Sequence, residues 1–371
     1  MEKLNELFVK FKESRKTQII TVVVLLIVLG IVGMVIFSDD TQNSNDNNNS
    51  TSQKTANQLD TSEAYRLIDG IKITKNRANF LPVAIVVENY AGIRPQSGLA
   101  DANIVYEALA EGGITRFLAI YASGTDVKTI GPVRSARHYF VDVAEEYGGI
   151  FAHIGGSPQA LGILSFEEYI TDLNQFTYSQ YYWRDDNIAA PHNLFTSSEL
   201  MSYAIRDLLS ENPEGNYTAW KFKDENASSV SIDKYIKIDY SLDQYAVEWK
   251  YNTADNIYMR FNGDKEHKDA LTDKQLTAKN IIVQFADTSL LEGEAERLDI
   301  KTIGEGEALI FLDGEVISGT WKKSQRGDRT LYYDKNNQEI EFNRGNTWVE
   351  MVKLETSVQW TDNSGSEQSK N

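Results

Sequence analysis

Ile19 to Phe37 is apolar at every position except Thr21 and two glycines. A helix of this length reaches roughly 28 Å, about the thickness of a bilayer's hydrocarbon core. A helix buried in a soluble core would show a polar face, and this run has none. It therefore divides the chain. Lys3, Lys10, Lys12, Arg15 and Lys16 precede it and Asp39 and Asp40 follow, so the positive-inside rule sets the N-terminus in the cytoplasm and the remainder outside. A cleaved signal peptide would end in a small-x-small site, which Phe37-Ser-Asp-Asp lacks. The expectation is an uncleaved single-pass anchor in the cytoplasmic membrane.

The chain has 371 residues and no cysteine. Disulfides, thiolate nucleophiles, cysteine-ligated zinc and a lipid-modified cysteine are excluded. The net charge of −17 argues against nucleic acid, whose phosphates it would repel, so an anionic ligand needs a local basic pocket.

The expected organisation is α+β. A cytoplasmic tail (1–18) and the anchor (19–37) precede a polar, flexible tether (38–76). An α/β domain with a mixed sheet (77–215) comes next, then a mainly β domain (229–354) and a disordered tail (355–371). Leu81–Asn89, LPVAIVVEN, reads as a buried strand. Ser157 before Pro158, and Ser197, read as helix N-caps. Asn262-Gly263 and Asp313-Gly314 have hairpin-turn chemistry.

Ile130 to Pro158, IGPVRSARHYFVDVAEEYGGIFAHIGGSP, concentrates cations beside tight turns. The candidate ligand-binding residues are Arg94, Arg116, Arg134, Arg137, His138, His153, Ser157 and His192. Arginine's planar fork suits carboxylate or phosphate, and flanking glycines admit a ligand to the backbone. His153 is placed near a strand's C-terminal end, where α/β sheets bind ligands. If these side chains form a site, Arg94, Arg116, Arg134, Arg137, His153 and His192 converge on one concave surface. If each is saturated by its own carboxylate, they are structural. No HExxH or i,i+4 histidine spacing supports a metal, no G-x-S-x-G elbow supports a serine nucleophile, and no cofactor is implied. Trp321, Arg326, Arg329, Arg344 and Trp348 read as ordinary hairpin-edge residues.

ENYAGIRPQSGL, ADANIVYEALAEGGITRFLAIY, IGPVRSARHYF, HIGGSP, WRDDNIAAPHNLFTS, GTWKKSQRGDRT and EFNRGNTWVEMV, in this order between Phe80 and Val352, resemble the YerB-like family of exported bacterial proteins. The resemblance implies an envelope location and a pair of domains of unknown function, and it assigns no catalytic residue. Family members commonly carry a lipid-modified cysteine, whereas this chain has the Ile19–Phe37 run instead. The expected function is a membrane-anchored envelope protein binding an anionic or sugar-derived cell-wall ligand. The rivals are a wall-polymer hydrolase or phosphotransferase using the same pocket, and a scaffold docking a protein partner.

Overall fold

The structure is a computed structural model. It describes residues 62–370 apart from 76–79, 123–124, 167–168, 210–213, 216, 228–233 and 292–295. The expected cytoplasmic tail and the Ile19–Phe37 anchor lie outside the described residues. Among the described residues no helix is long and apolar enough to cross a membrane.

The first domain is built on Val83–Glu88, whose six side chains are all buried. Its β-branched, non-alternating sequence fits a strand covered on both faces. Thr115–Tyr121 pairs with it antiparallel and Ile150–His153 pairs parallel. Ile104–Leu109 and Thr171–Asn174 extend the two flanks. Ser157 caps the helix Pro158–Leu164 by accepting from the Ala160 amide, and Ser197 caps Ser198–Leu208 through Leu200. The third helix, His138–Ala144, begins immediately after Arg137.

Gly149 is where the parallel strand enters the sheet. A Cβ there would lie 1.8 Å from the Pro82 carbonyl oxygen, which also accepts from the Ile150 amide at 3.2 Å. Gly149→Ala is expected to lower stability by about 1–3 kcal/mol. Gly162→Ala, inside Pro158–Leu164 and with no atom near its would-be Cβ, should raise it by about 0.5–1 kcal/mol. Urea denaturation of the two variants checks the contrast.

The sheet does not stop at the domain boundary. Ile104–Leu109 pairs parallel with Thr347–Lys353, which pairs parallel with Asn280–Ala286. Gly304–Leu312, Glu315–Lys323 and Leu331–Asp334 follow, each antiparallel to its neighbour. Each domain gives five strands to one ten-stranded sheet. The two expected domains, an α/β domain with a mixed sheet and then a mainly β domain, are therefore not set apart by a sheet boundary. The protein is mostly β, with two domains sharing a sheet. Fully buried strands from both halves announce that their faces are covered but not which edges they meet.

A second, seven-stranded sheet includes Tyr235–Ile238, Val247–Asn252 and Ile257–Asn262. It packs on the large sheet, with the Trp249 and Trp348 rings 5.3 Å apart edge to face. Asp313 and Gly314 both have positive φ at the tip of the Gly304–Leu312 and Glu315–Lys323 hairpin, the conformation that turn requires. Two expectations of disorder are corrected. The tail forms a hairpin, Val358–Thr361 with Glu367–Lys370, joined to Tyr235–Ile238. Asp362 organises its turn by accepting from the Ser364 and Ser366 amides, both at 2.9 Å. The tether gives way before residue 76, where Glu63–Tyr65 pairs with Lys72–Thr74. The connecting turn buries Ile68 and Asp69, and Asn103 Nδ2 donates to Asp69 at 2.7 Å.

Candidate functional site

Four of the expected cations meet at the end of the Val83–Glu88 strand. Glu88 and Arg116 are cross-strand partners there. Glu88 faces Arg134 Nε at 3.2 Å and His192 Nδ1 at 2.9 Å. The His192 ring also stacks on Tyr90, with centroids 5.0 Å apart. Glu111, at the tip of the turn into Thr115–Tyr121, is gripped by Arg137 through both Nε and Nη2. Arg116 Nη1 donates to the Ser135 carbonyl at 2.9 Å, while its nearest carboxylate oxygen, on Glu111, is 3.8 Å away. The peptide Arg134–Arg137 is held in place by backbone bonds. Arg134 donates to the Val86 carbonyl at 2.9 Å and Ala136 to Gly155 at 3.0 Å.

Three guanidiniums and an imidazole thus share two carboxylates. Arg116 is the least compensated. Burial, with the neighbouring Arg137 charge adding to it, pulls its guanidinium down to about 10. Burial would push Glu111 up, but Arg137 outweighs it and holds the carboxyl below its ordinary range. Arg134, His192 and Glu111 keep a fifth to a quarter of their side chains exposed, so this edge opens to solvent.

The remaining candidates do not join it. Arg94 turns to the other side of the strand end, where Nε donates to Asn89 Oδ1 at 2.8 Å and Nη1 to the Gln244 carbonyl at 2.7 Å. His138 lies 2.9 Å from Asp299, in the Leu298–Ile300 strand of the second domain. His153 is fully buried, with Nδ1 2.7 Å from the Gly155 carbonyl and Nε2 2.7 Å from Asp172. Neither nitrogen is free to act as a base. Ser157 is buried and used as a cap. The expectation that Arg94 and His153 converge with the others is corrected. In each case a partner on a neighbouring element captures the side chain first.

Sequence reasoning missed a fully buried charge cluster. Glu107 and Glu350 are register partners where the two domains' strands meet, and both are fully buried. Arg260, on the facing sheet and also fully buried, bonds to both, reaching Glu350 Oε1 at 2.8 Å. Its guanidinium carbon lies 4.5 Å from the Trp348 ring centroid and 5.1 Å from that of Trp249. Trp249 Nε1 and the Tyr240 hydroxyl donate to Glu350 at 2.8 and 2.9 Å. Burial would lower Arg260, but Glu107 and Glu350 outweigh it and hold it above its usual value. Burial pushes the Glu350 carboxyl up, with Glu107 adding and Arg260 opposing.

The network continues outward. Arg260 Nε donates to His267 Nδ1 at 3.0 Å, and His267 Nε2 donates to Gln96 Oε1 at 2.8 Å. This fixes a neutral imidazole, in keeping with burial and then the Arg260 charge driving His267 well below its ordinary value. Gln96 Nε2 donates to Asn89 Oδ1 at 3.0 Å, and Asn89 Nδ2 donates to Glu107 at 3.1 Å. The available signal is a charge flanked on both sides by apolar residues in each of three strand-like segments, IVYEAL, IYMRFN and TWVEMVK.

On the opposite side of the junction, Glu146 is fully buried with Lys323 Nζ at 3.0 Å and Arg329 Nη1 at 3.1 Å. Arg329, expected to be an ordinary hairpin-edge residue, is instead buried over Trp220 and Tyr147, at 3.9 and 4.3 Å from their centroids.

Two family descriptions match the chain. "Protein of unknown function (DUF3048) N-terminal domain" spans residues 69–211 and "Protein of unknown function (DUF3048) C-terminal domain" spans 236–349. The chain is 33% identical over 290 residues to the Bacillus subtilis (strain 168) protein named "Putative lipoprotein YerB", covering 77% of this chain and 85% of that one. The crystal structure of YerB protein from Bacillus subtilis superposes with a TM-score of 0.69 at 32% identity, covering 78% of this chain and 96% of that chain. The chain belongs to the DUF3048 family, whose N- and C-terminal domains of unknown function supply the two halves of its shared sheet.

Proposed function

We propose that this protein is an extracytoplasmic envelope protein, held at the cytoplasmic membrane by Ile19–Phe37 with its N-terminus inside. In this reading it binds an anionic or sugar-derived wall ligand through Arg116, Arg134, Arg137 and His192. The observation that carries the binding half is the charge imbalance at the strand end, where three guanidiniums and a histidine share Glu88 and Glu111. An anion seated there supplies the charge that Arg116 lacks. The membrane half is supported by the apolar run and by the lipoprotein name of the similar YerB. With no cysteine to carry lipid, this chain needs another means of attachment. His153, with both nitrogens engaged, favours binding over acid–base catalysis.

The test is titration of the full-length chain in detergent micelles with a glycerol-phosphate oligomer. Saturable binding should weaken at least tenfold in Arg134→Ala, with the variant's unfolding midpoint measured alongside to show that it is folded. Protoplasts displaying the chain should bind the same membrane-impermeant oligomer. No saturable binding, or equal binding by the variant, would sink the site. Binding to micelles but not to protoplasts would sink the orientation.

A further inference from the structure

A second, independent site lies where the loop after the Ile257–Asn262 strand approaches the first domain. A cleft of about 800 Å³ is lined by Arg94, Gln244, Asn262, Lys265, Glu266 and His267, among others. This is within the size range of small-ligand sites. Tyr258, Arg260 and Asn262 alternate along one buried face of the strand, so Asn262 continues the row that carries Arg260.

Asn262 is 9% exposed, and neither its Oδ1 nor its Nδ2 has a hydrogen-bond partner. A buried carboxamide with both its donor and its acceptor unmet is a standing cost to the fold. Its neighbours on that face have partners. Arg260 reaches two carboxylates and a histidine, and the Tyr258 hydroxyl oxygen accepts from the Gly314 amide at 3.1 Å. The orphan pair therefore calls for a ligand that presents an acceptor and a donor side by side.

Beside Asn262 in the sheet runs Lys265–Glu266, a two-residue edge strand with exposed side chains whose Lys265 is the register partner of Asn262. Its open edge offers backbone groups to an extended chain. The charges around the cleft nearly cancel. Arg94, Lys265 and Lys268 stand against Asp243, Asp264, Glu266 and Asp273, and Lys268 is already paired with Asp273 at 3.5 Å and Glu266 at 3.9 Å. A polyanion gains little here, whereas a neutral chain of amides meets both requirements.

We propose that this cleft docks a short, extended, uncharged peptide segment, one of whose amide groups pairs with the Asn262 carboxamide. The test titrates the full-length chain calorimetrically with acetyl-(Ala)4-amide and, in parallel, with an N-acetylglucosamine tetramer, whose acetamido groups offer the same chemistry. Asn262→Leu keeps the volume and removes both orphan atoms. It is expected to leave the unfolding midpoint equal or higher and to weaken peptide binding at least tenfold. Peptide binding unchanged in Asn262→Leu overturns the proposal. So does absence of peptide binding, or binding of the sugar in place of the peptide. A marked drop in the variant's unfolding midpoint also overturns it, because Asn262 would then be bonded within the fold.

Discussion

Arg260→Ala should cost the folded state about 3–5 kcal/mol, the range found when one member of a buried ion pair is removed. Glu107 and Glu350 stand directly opposite one another across the parallel pairing that joins the two domains. Arg260 is the cation between them. Without it two buried carboxylates face each other, and they cannot both stay ionised at neutral pH. The aromatic wall of Trp249, Trp348 and Phe117 would also be left around a cavity. Urea unfolding followed by tryptophan fluorescence measures the loss directly, because Trp249 and Trp348 flank the site. Combining Arg260→Met with Glu107→Gln and Glu350→Gln should restore much of it, since replacing every charge removes the desolvation problem. A loss below about 1 kcal/mol for the single variant would mean that the arginine does not hold the junction.

Glu146→Gln should have an effect of similar size, again about 3–5 kcal/mol, by a complementary route. Here the carboxylate is the shared partner, and its removal leaves Lys323 and Arg329 buried without a counter-charge. This variant also changes how stability responds to acid. Burial alone would raise the Glu146 carboxyl, but Lys323, Arg329 and Thr330 outweigh it and hold it below its ordinary 4.5. For a carboxyl lowered by folding, the contribution is fully present above the unfolded value. It is lost as pH falls through the folded one. Stability of the parent should therefore decline below about pH 4.5, and the decline should be shallower in Glu146→Gln. Glu111 and Asp313 are lowered as well, so the comparison between parent and variant isolates Glu146. Parallel slopes would show that the proton is not taken up there.

The parts of the fold legible in the sequence are those set by neighbouring residues. Val83–Glu88 is recognisable because a run without alternation must be covered on both faces. Ser157-Pro158 and Asp313-Gly314 are recognisable because a cap and a tight hairpin each need particular chemistry at fixed offsets. The tail reads as disordered because Val358 and Trp360 are too few apolar positions to announce a strand in a polar stretch. His153 resembled a ligand-binding residue for a sound local reason, since it does end a parallel strand. Its partner Asp172 sits on the next strand, in a register no local pattern encodes. The same limit hid Arg260, Glu107 and Glu350. Each is a charge flanked by apolar residues, and only the pairing of distant strands turns three anomalies into one network.

The shared sheet also bears on how the chain is made. Ribosomes deliver the first domain before the second, so Ile104–Leu109 emerges long before its partner Thr347–Lys353 exists. During that interval the first domain has an unzipped flank: a row of unanswered backbone amides and carbonyls, with Glu107 pointing into what will become the protein interior. Such a flank can recruit any extended chain nearby. Closing it requires ends separated by most of the folded sequence to find each other, a slow kind of search. A newly made molecule therefore passes through a half-sheet stage with this flank open, and truncation after the first domain would leave it open for good.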